Sequence, residues 1–242
     1  MLPMLCPLME IVIPCYNESL SIKNLVENCN HASLNSSVRF VLVDNGSSDD
    51  TWDQLILLIG NSNNFKLHKV KSNKGYGNGI IEGLNLTEAE YVGWMHADLQ
   101  TSPGDLIQIH EYLSALKTDQ KIFIKGIRRN RANIDVFFSA GMSLFESIIF
   151  GKKMTEINAQ PTIFTRALLN EFVNPPLDFM LDLYAYNKAI SLGYQQKKFS
   201  VNFSQRKYGV SSWNKNVFSR IKFIYKTIRF SLILRFRNYG NN

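Results

Sequence analysis

Four short apolar runs, each followed by a polar cluster, constrain the fold of this 242-residue chain more than any other feature. Glu10–Pro14 (EIVIP), Arg39–Val43 (RFVLV), Lys66–Val70 and Tyr91–Met95 (YVGWM) have the length and composition of buried strands. Between them, Ser19–Asn30, Asp50–Ile59 and Asn78–Leu86 carry apolar residues at helical spacing. Parallel strands need long crossover connections, so this alternation predicts an α/β fold: a mostly parallel sheet covered by helices on both faces. Ile122–Lys125 and Lys198–Phe203 are further strand candidates. The first precedes a basic loop (GIRRNR) and a helix over Asp135–Phe150. A hydrophobic content of 45% suffices for one real core and excludes a disordered chain.

In such sheets ligands bind beyond the carboxyl ends of the strands. Those ends read Pro14-Cys15-Tyr16-Asn17-Glu18, Asp44-Asn45-Gly46-Ser47-Ser48-Asp49, Asn73-Lys74-Gly75-Tyr76-Gly77-Asn78-Gly79 and His96-Ala97-Asp98-Leu99-Gln100. One such cluster is ordinary turn chemistry; four on one rim predict a polar ligand lying across it. The first turn holds no glycine, and glycines 75, 77 and 79 miss the GxGxxG dinucleotide fingerprint. No GxxxxGK[ST] or GxSxG sequence is present, so P-loop and serine-hydrolase chemistry fit poorly. Asp98 and Gln100, two residues apart, would point the same way along an extended segment and could share one hard cation. Mg2+ or Mn2+ takes few protein ligands and fills its shell with phosphate oxygens and water, which suits a nucleoside diphosphate. Asp98 would equally serve as a turn cap before a helix near Pro103.

The ordered set IVIPCYNE, VLVDNGSSDDT, NKGYGNGIIEG, HADLQTSP, GIRR and QRKYGVSSW resembles the family 2 glycosyltransferases. It is most similar to the branch of dolichol-phosphate mannose synthases and polyprenyl-phosphate glycosyltransferases. The resemblance runs from Glu10 to Trp213. It implies a GT-A fold, with a catalytic domain over 9–213, and a nucleotide-diphosphate sugar as donor. It also implies inverting transfer to a polyprenyl phosphate or another glycan acceptor. By position, Pro14, Tyr16, Glu18, Asp44, Gly75 and His96 would hold the donor. Asp98 and Gln100 match the second Asp and the Gln of an Asp-x-Asp-x-Gln metal motif, implying Mn2+ or Mg2+. Arg128 matches an arginine after a late strand. Arg206 and Ser211 match an R-x-x-G-x-S acceptor element, and Arg131 joins them on the acceptor side.

The chain departs from that pattern in four places. His96 replaces the first metal-motif Asp; neutral imidazole suits Mn2+ better than Mg2+. Asn45 replaces the second Asp after the second strand, Lys198 stands where Glu is common, and Glu156 where Asp is common. Catalysis would need positive charge at the leaving diphosphate, from the metal with Arg128 and Arg206. A lipid phosphate is already ionised near neutral pH, whereas a hydroxyl acceptor in polysaccharide assembly would need a base, for which Asp182 is the candidate. Asp182 would equally be a solvated helix residue, and the arginines an ordinary basic loop. A non-catalytic nucleotide-sugar-binding relative is the remaining reading.

The formal charge of +7 conceals an asymmetry. Residues 1–182 hold 15 basic and 20 acidic side chains, whereas the last 60 hold 12 basic and none acidic. That end calls for an anionic partner. Asn214–Arg237 reads as a basic amphipathic helix, assigned with the tail to 214–242. Val217, Ile221, Ile224, Tyr225, Ile228 and Leu232 share one face, Phe223, Phe230 and Leu234 another, with Lys222, Lys226 and Arg229 beside the first. One stripe would pack on the domain and the other dip into an anionic membrane surface. Both buried in the protein, or in a homodimer, is the alternative. Nucleic acid is not expected, since no RRM, zinc-finger or basic-zipper pattern occurs. Cys6, Cys15 and Cys29 form neither a disulfide framework nor a zinc motif. With no signal-peptide pattern and no long apolar run, the expected location is cytoplasmic and peripheral to the membrane.

Overall fold

The computed structural model describes residues 8–116, 120–129, 133–204 and 217–239. Strands β1 (Met9–Cys15), β2 (Val38–Asp44), β3 (Phe65–Lys69) and β4 (Tyr91–Trp94) alternate with helices α1 (Ile22–Leu34), α2 (Thr51–Ile59) and α3 (Tyr76–Leu84). After a single 3-10 turn at Pro103–Asp105 come α4 (Leu106–Ser114), β5 (Ile122–Arg129), α5 (Asn133–Phe150), β6 (Thr162–Thr165) and α6 (Arg166–Leu169). The series closes with α7 (Met180–Ser191), β7 (Gln195–Asn202) and α8 (Val217–Tyr239).

All seven strands join one sheet in the order β3-β2-β1-β4-β6-β5-β7. β1 lies inside the sheet, parallel to β2 on one side and β4 on the other, with Ile11 opposite both Phe40 and Gly93. Side chains alternate between two cores, as strand geometry dictates. Ile11, Ile13, Phe40 and Leu42 pack under α1, α2 and α4, whereas Val12, Val41 and Val43 pack under α3 and α7. Burial on both faces explains why these strands read as continuous apolar runs in the sequence.

Two features depart from the sequence reading. The segment TIFT forms β6, antiparallel to both β4 and β5. Four residues are too few to show a period. The expected basic loop after Lys125 is instead strand: β5 continues through Arg129, pairing with β7 as far as Arg129 opposite Asn202. The sheet partner β7, invisible from the local sequence, decides that extension.

Helix α8 lies on the body through Phe223, Thr227, Phe230, Ser231 and Leu234, which are buried or partly buried. Its opposite face carries Ile221, Ile224, Tyr225, Ile228, Leu232 and Phe236, all exposed, with Tyr225 at 67% and Phe236 at 71%. At about 100° per residue those six fall in one strip roughly 120° wide, flanked by Lys222 and Arg229. Among the described residues no helix is long and apolar enough to cross a membrane. Ser231 donates a hydrogen bond of 2.7 Å to Glu146 Oε1 on α5. Glu146 is wholly buried and burial pushes its carboxyl up to about 7 from 4.5.

The folded state therefore favours protonated Glu146. That contribution is fully present below pH 4.5 and is lost as pH rises through about 7. Urea unfolding across this window should show stability falling with pH, and Glu146→Gln should flatten the slope. A second expectation concerns the β4–β6 seam, where a Cβ on Gly93 would lie 2.1 Å from the Thr162 carbonyl oxygen. Gly93→Ala should lower the urea midpoint by the equivalent of about 1–3 kcal/mol.

Candidate active site

The parallel register brings the ends of β1, β2 and β4 to one rim, and the residues there are unevenly satisfied. Asp44, the last residue of β2, is fully buried. Its Oδ1 accepts the Ser47 N–H at 3.0 Å, while Oδ2 has no hydrogen-bond partner among the described residues. Asn45 donates through Nδ2 to the Gly75 carbonyl at 2.9 Å, and its Oδ1 also lacks a described partner. The same holds for Asn78 Nδ2, Thr101 Oγ1 and Gln160 Oε1. Buried polar atoms are seldom left unpaired, so a concentration of them at one rim marks a place for a polar ligand.

Pro14 sits in β1 opposite Val43, and Tyr16, two residues on, is 48% exposed. Glu18 opens the approach to α1: its carbonyl accepts the Ser21 and Ile22 N–H groups, and Oε2 accepts the Ser21 hydroxyl at 2.8 Å. Gly75 has φ +123°, and a Cβ there would lie 2.3 Å from the Leu177 carbonyl oxygen. Gly77 is similarly covered by the Pro176 carbonyl, at 2.6 Å from a Cβ. These glycines are therefore required by the 176–178 segment closing on the loop, a constraint that the fingerprint comparison does not contain.

Asp98 and Gln100 stand at the carboxyl end of β4, but not in an extended segment. Leu99 between them has φ +57°, which turns the chain. Asp98 Oδ1 accepts the Gln100 backbone N–H at 3.1 Å, and Gln100 Nε2 donates to the Ser204 carbonyl at 3.4 Å. Contrary to what the spacing predicts, the two side chains therefore do not share a direction along an extended segment: the link between them runs through the Gln100 backbone, and Gln100 ties the rim to the segment just past β7. The His96 ring lies 5.2 Å from that of Tyr76. Tyr76 in turn stacks on Phe179 at 4.6 Å. Burial, with Asp182 and Asp98 nearby, holds the Tyr76 phenol well above its ordinary pKa, so it stays protonated.

Asp182 lies in the first turn of α7 and is buried, not solvated. Its Oδ1 accepts from Lys125 Nζ at 3.2 Å, Gln160 Nε2 at 3.1 Å and Thr162 Oγ1 at 3.3 Å. Gln160 Nε2 also donates to the Tyr76 hydroxyl at 3.1 Å. Burial lowers the Lys125 pKa, opposed by the Asp182 charge. Sequence reasoning did not single out Lys125, Gln160, Thr162 or Tyr76. One signal was available: a lysine inside the apolar strand IFIKG needs a buried partner. Arg128, on β5, forms a two-pronged ion pair with Glu156 Oε2, from Nε at 3.0 Å and Nη2 at 2.9 Å. Its guanidinium also lies over the Phe203 ring at 5.8 Å. Arg131, Arg206 and Ser211 lie outside the described residues.

A family model described as glycosyl transferase family 2 matches residues 10–163. The chain belongs to this family. Among its family 2 relatives are a dolichyl-phosphate beta-glucosyltransferase of Dictyostelium discoideum, 21% identical over 53% of this chain and 42% of that protein. An uncharacterised glycosyltransferase of Synechocystis is 26% identical over 85% of this chain and 64% of its own length. An undecaprenyl-phosphate 4-deoxy-4-formamido-L-arabinose transferase of Klebsiella pneumoniae is 23% identical over 68% and 51%. The chain thus spans less than two thirds of these relatives.

Among solved structures, the glucosyl-3-phosphoglycerate synthase of Mycobacterium tuberculosis, in complex with Mn2+, UDP and glucosyl-3-phosphoglycerate, superposes with a TM-score of 0.71. It is 15% identical, over 94% of this chain and 79% of that one. A mannosyltransferase of Pyrobaculum calidifontis, with GDP-Man and Mn2+, gives 0.63 at 17% identity, over 99% and 66%. These likenesses establish the GT-A fold for this family 2 member.

The buried ion pair yields a direct test. Lys125→Met leaves Asp182 as an uncompensated buried charge and should cost about 3–5 kcal/mol of folding stability. The double variant Lys125→Met/Asp182→Asn should recover a substantial part of that loss in the same denaturant titration.

Proposed function

We propose that this chain is a glycosyltransferase that moves a sugar from a nucleotide-diphosphate sugar to a polyprenyl phosphate at an anionic membrane surface, with inversion. The observation that carries the reading is the buried Asp44 Oδ2, without a hydrogen-bond partner among the described residues, on a rim that also holds Asn45 and Asp98. A carboxylate oxygen kept dry at the end of β2 is matched by the N–H of a base or the hydroxyl of a ribose. In this reading Pro14 of β1, Tyr16 and Glu18 just beyond it, and His96 and Gly75 from the loops after β4 and β3 would contribute to holding the donor.

The donor set suits a divalent cation with few protein ligands. Among the described residues no cluster of three or more His, Cys, Asp or Glu gathers for a metal. Asp44, Asp98 and Asp182 are buried on the rim side, against Lys125 as the one buried Lys or Arg described. An excess of buried negative charge favours Mn2+ or Mg2+, held by Asp98, with His96 or Gln100 beside it and phosphate oxygens completing the shell. When bound, the ion supplies positive charge to the leaving diphosphate. Arg128, with Arg131 and Arg206, holds anionic oxygens of the diphosphate and the acceptor, and Ser211 donates to the acceptor phosphate.

A phosphate acceptor fits Asp182 better than a hydroxyl acceptor does. A hydroxyl would need a base, yet Asp182 Oδ1 already accepts three hydrogen bonds within the protein. A phosphate oxygen is ionised near neutral pH and needs none. Asp182 then positions Gln160 and, through it, Tyr76. The exposed apolar strip of α8 would lie among lipid tails with its flanking lysines and arginines at headgroup level.

Incubation with radiolabelled nucleotide sugars, Mn2+ and polyprenyl phosphate should give a lipid-extractable product. Asp98→Ala should lower that rate by about 100-fold or more, the scale for losing a group that stabilises charge in the transition state. Absence of product with every common donor would overturn the reading.

A further inference from the structure

One stretch of chain, residues 176–179, touches both the glycine loop of the rim and α8. Pro176 and Leu177 lie against the glycine loop of the rim, where the Asn78 N–H donates to the Leu177 carbonyl at 3.1 Å. Their carbonyls fill the space that side chains at Gly75 and Gly77 would need. Phe179 stacks on Tyr76, which faces His96. On its other side the same stretch meets α8. Phe179 meets the Phe223 ring edge-on at 6.5 Å, and Asp178 Oδ2 forms an ion pair of 2.5 Å with Lys226. Asp178 also caps α7, its Oδ1 accepting the Met180 N–H at 2.8 Å.

Lys226 lies at the border between the buried and exposed faces of α8. Its side chain is 56% exposed and that of Asp178 35%, so the pair is open to solvent and weak. A lysine beside anionic headgroups gains free energy of similar size. A negatively charged bilayer against the exposed strip is therefore a real competitor for Lys226. Phe223 gives no such choice, since its contact is apolar.

We infer that the Lys226–Asp178 pair is a latch released by anionic lipid, and that its release loosens segment 176–179 over the glycine loop, gating entry to the donor rim. This regulation rests on the membrane reading above and extends it to the donor site. In solution the latch holds the segment down; on an anionic surface Lys226 turns to the headgroups and the loop opens where the acceptor resides. Neutral lipid, which engages only the apolar strip, leaves the latch shut.

Amide hydrogen exchange of the full chain, read at residues 73–79, tests this without any substrate. Samples would be free protein, protein with phosphatidylcholine vesicles and protein with vesicles containing phosphatidylglycerol, with flotation reporting binding. Phosphatidylglycerol should speed exchange at 73–79 about fivefold or more, the scale of a modest coupling between sites. Phosphatidylcholine should not. Asp178→Asn keeps an acceptor for Met180 but removes the charge; it should exchange at the faster rate already in solution, with no further gain from lipid. Protein that floats with phosphatidylglycerol vesicles but exchanges at the free rate, or more slowly, overturns the latch alone. Asp178→Asn behaving as the parent does so too. Protein that does not float at all overturns the membrane reading with it, while failure of sugar transfer leaves both measurements intact.

Discussion

The placement of β1 between two parallel neighbours is the constraint on which the rest of this molecule depends. Because β2 and β4 both run with β1, three strands deliver their polar ends to one edge. Asp44 follows directly, since its position at the end of β2 buries it against the sheet instead of exposing it in a loop. The antiparallel β6 then reverses the chain beside β4, which brings Gln160 and Thr162 to the same end. Lys125 reaches them from β5, and the buried charge it carries is matched by Asp182 from α7. Three elements distant in sequence are thereby locked together beneath the rim.

Much of this was legible in the sequence, for identifiable reasons. β1, β2 and β4 are buried on both faces, so their apolar continuity survives as a local pattern. The polar clusters at their ends were legible because turn residues and ligand-binding residues coincide there. What stayed hidden depends on partners far along the chain. The four residues of β6 have no periodicity of their own. Arg128 belongs to a strand only because β7 lies alongside. Gly75 and Gly77 look like flexible turn residues, and the reason they must lack side chains is the approach of Pro176 and Leu177 about a hundred positions later. Leu99 in the left-handed region could not be anticipated either, since a β-strand-like reading of Asp98–Gln100 assumed ordinary backbone.

Helix α8 repeats, on a larger scale, the division of labour seen in the strands. One face is held by Phe230, Leu234 and the Ser231–Glu146 hydrogen bond; the other is apolar and uncovered by the described chain. The basic excess of the last 60 residues is thus attached to an element that touches the rim-closing segment. A charge count alone predicts an anionic partner. The structure adds that α8 itself, through Phe223 on its body-facing side, is linked to His96 by two side chains, Phe179 and Tyr76.

The proposed function requires the carboxyl-end rim to bind a nucleoside diphosphate together with a divalent cation. An anomalous difference map from crystals grown with Mn2+ and either UDP or GDP tests it most directly. A manganese peak on the Asp98 carboxylate, with the base or ribose against Asp44 Oδ2, is expected. Manganese bound away from Asp98, or a nucleotide seated elsewhere than the β1–β2–β4 rim, would contradict it.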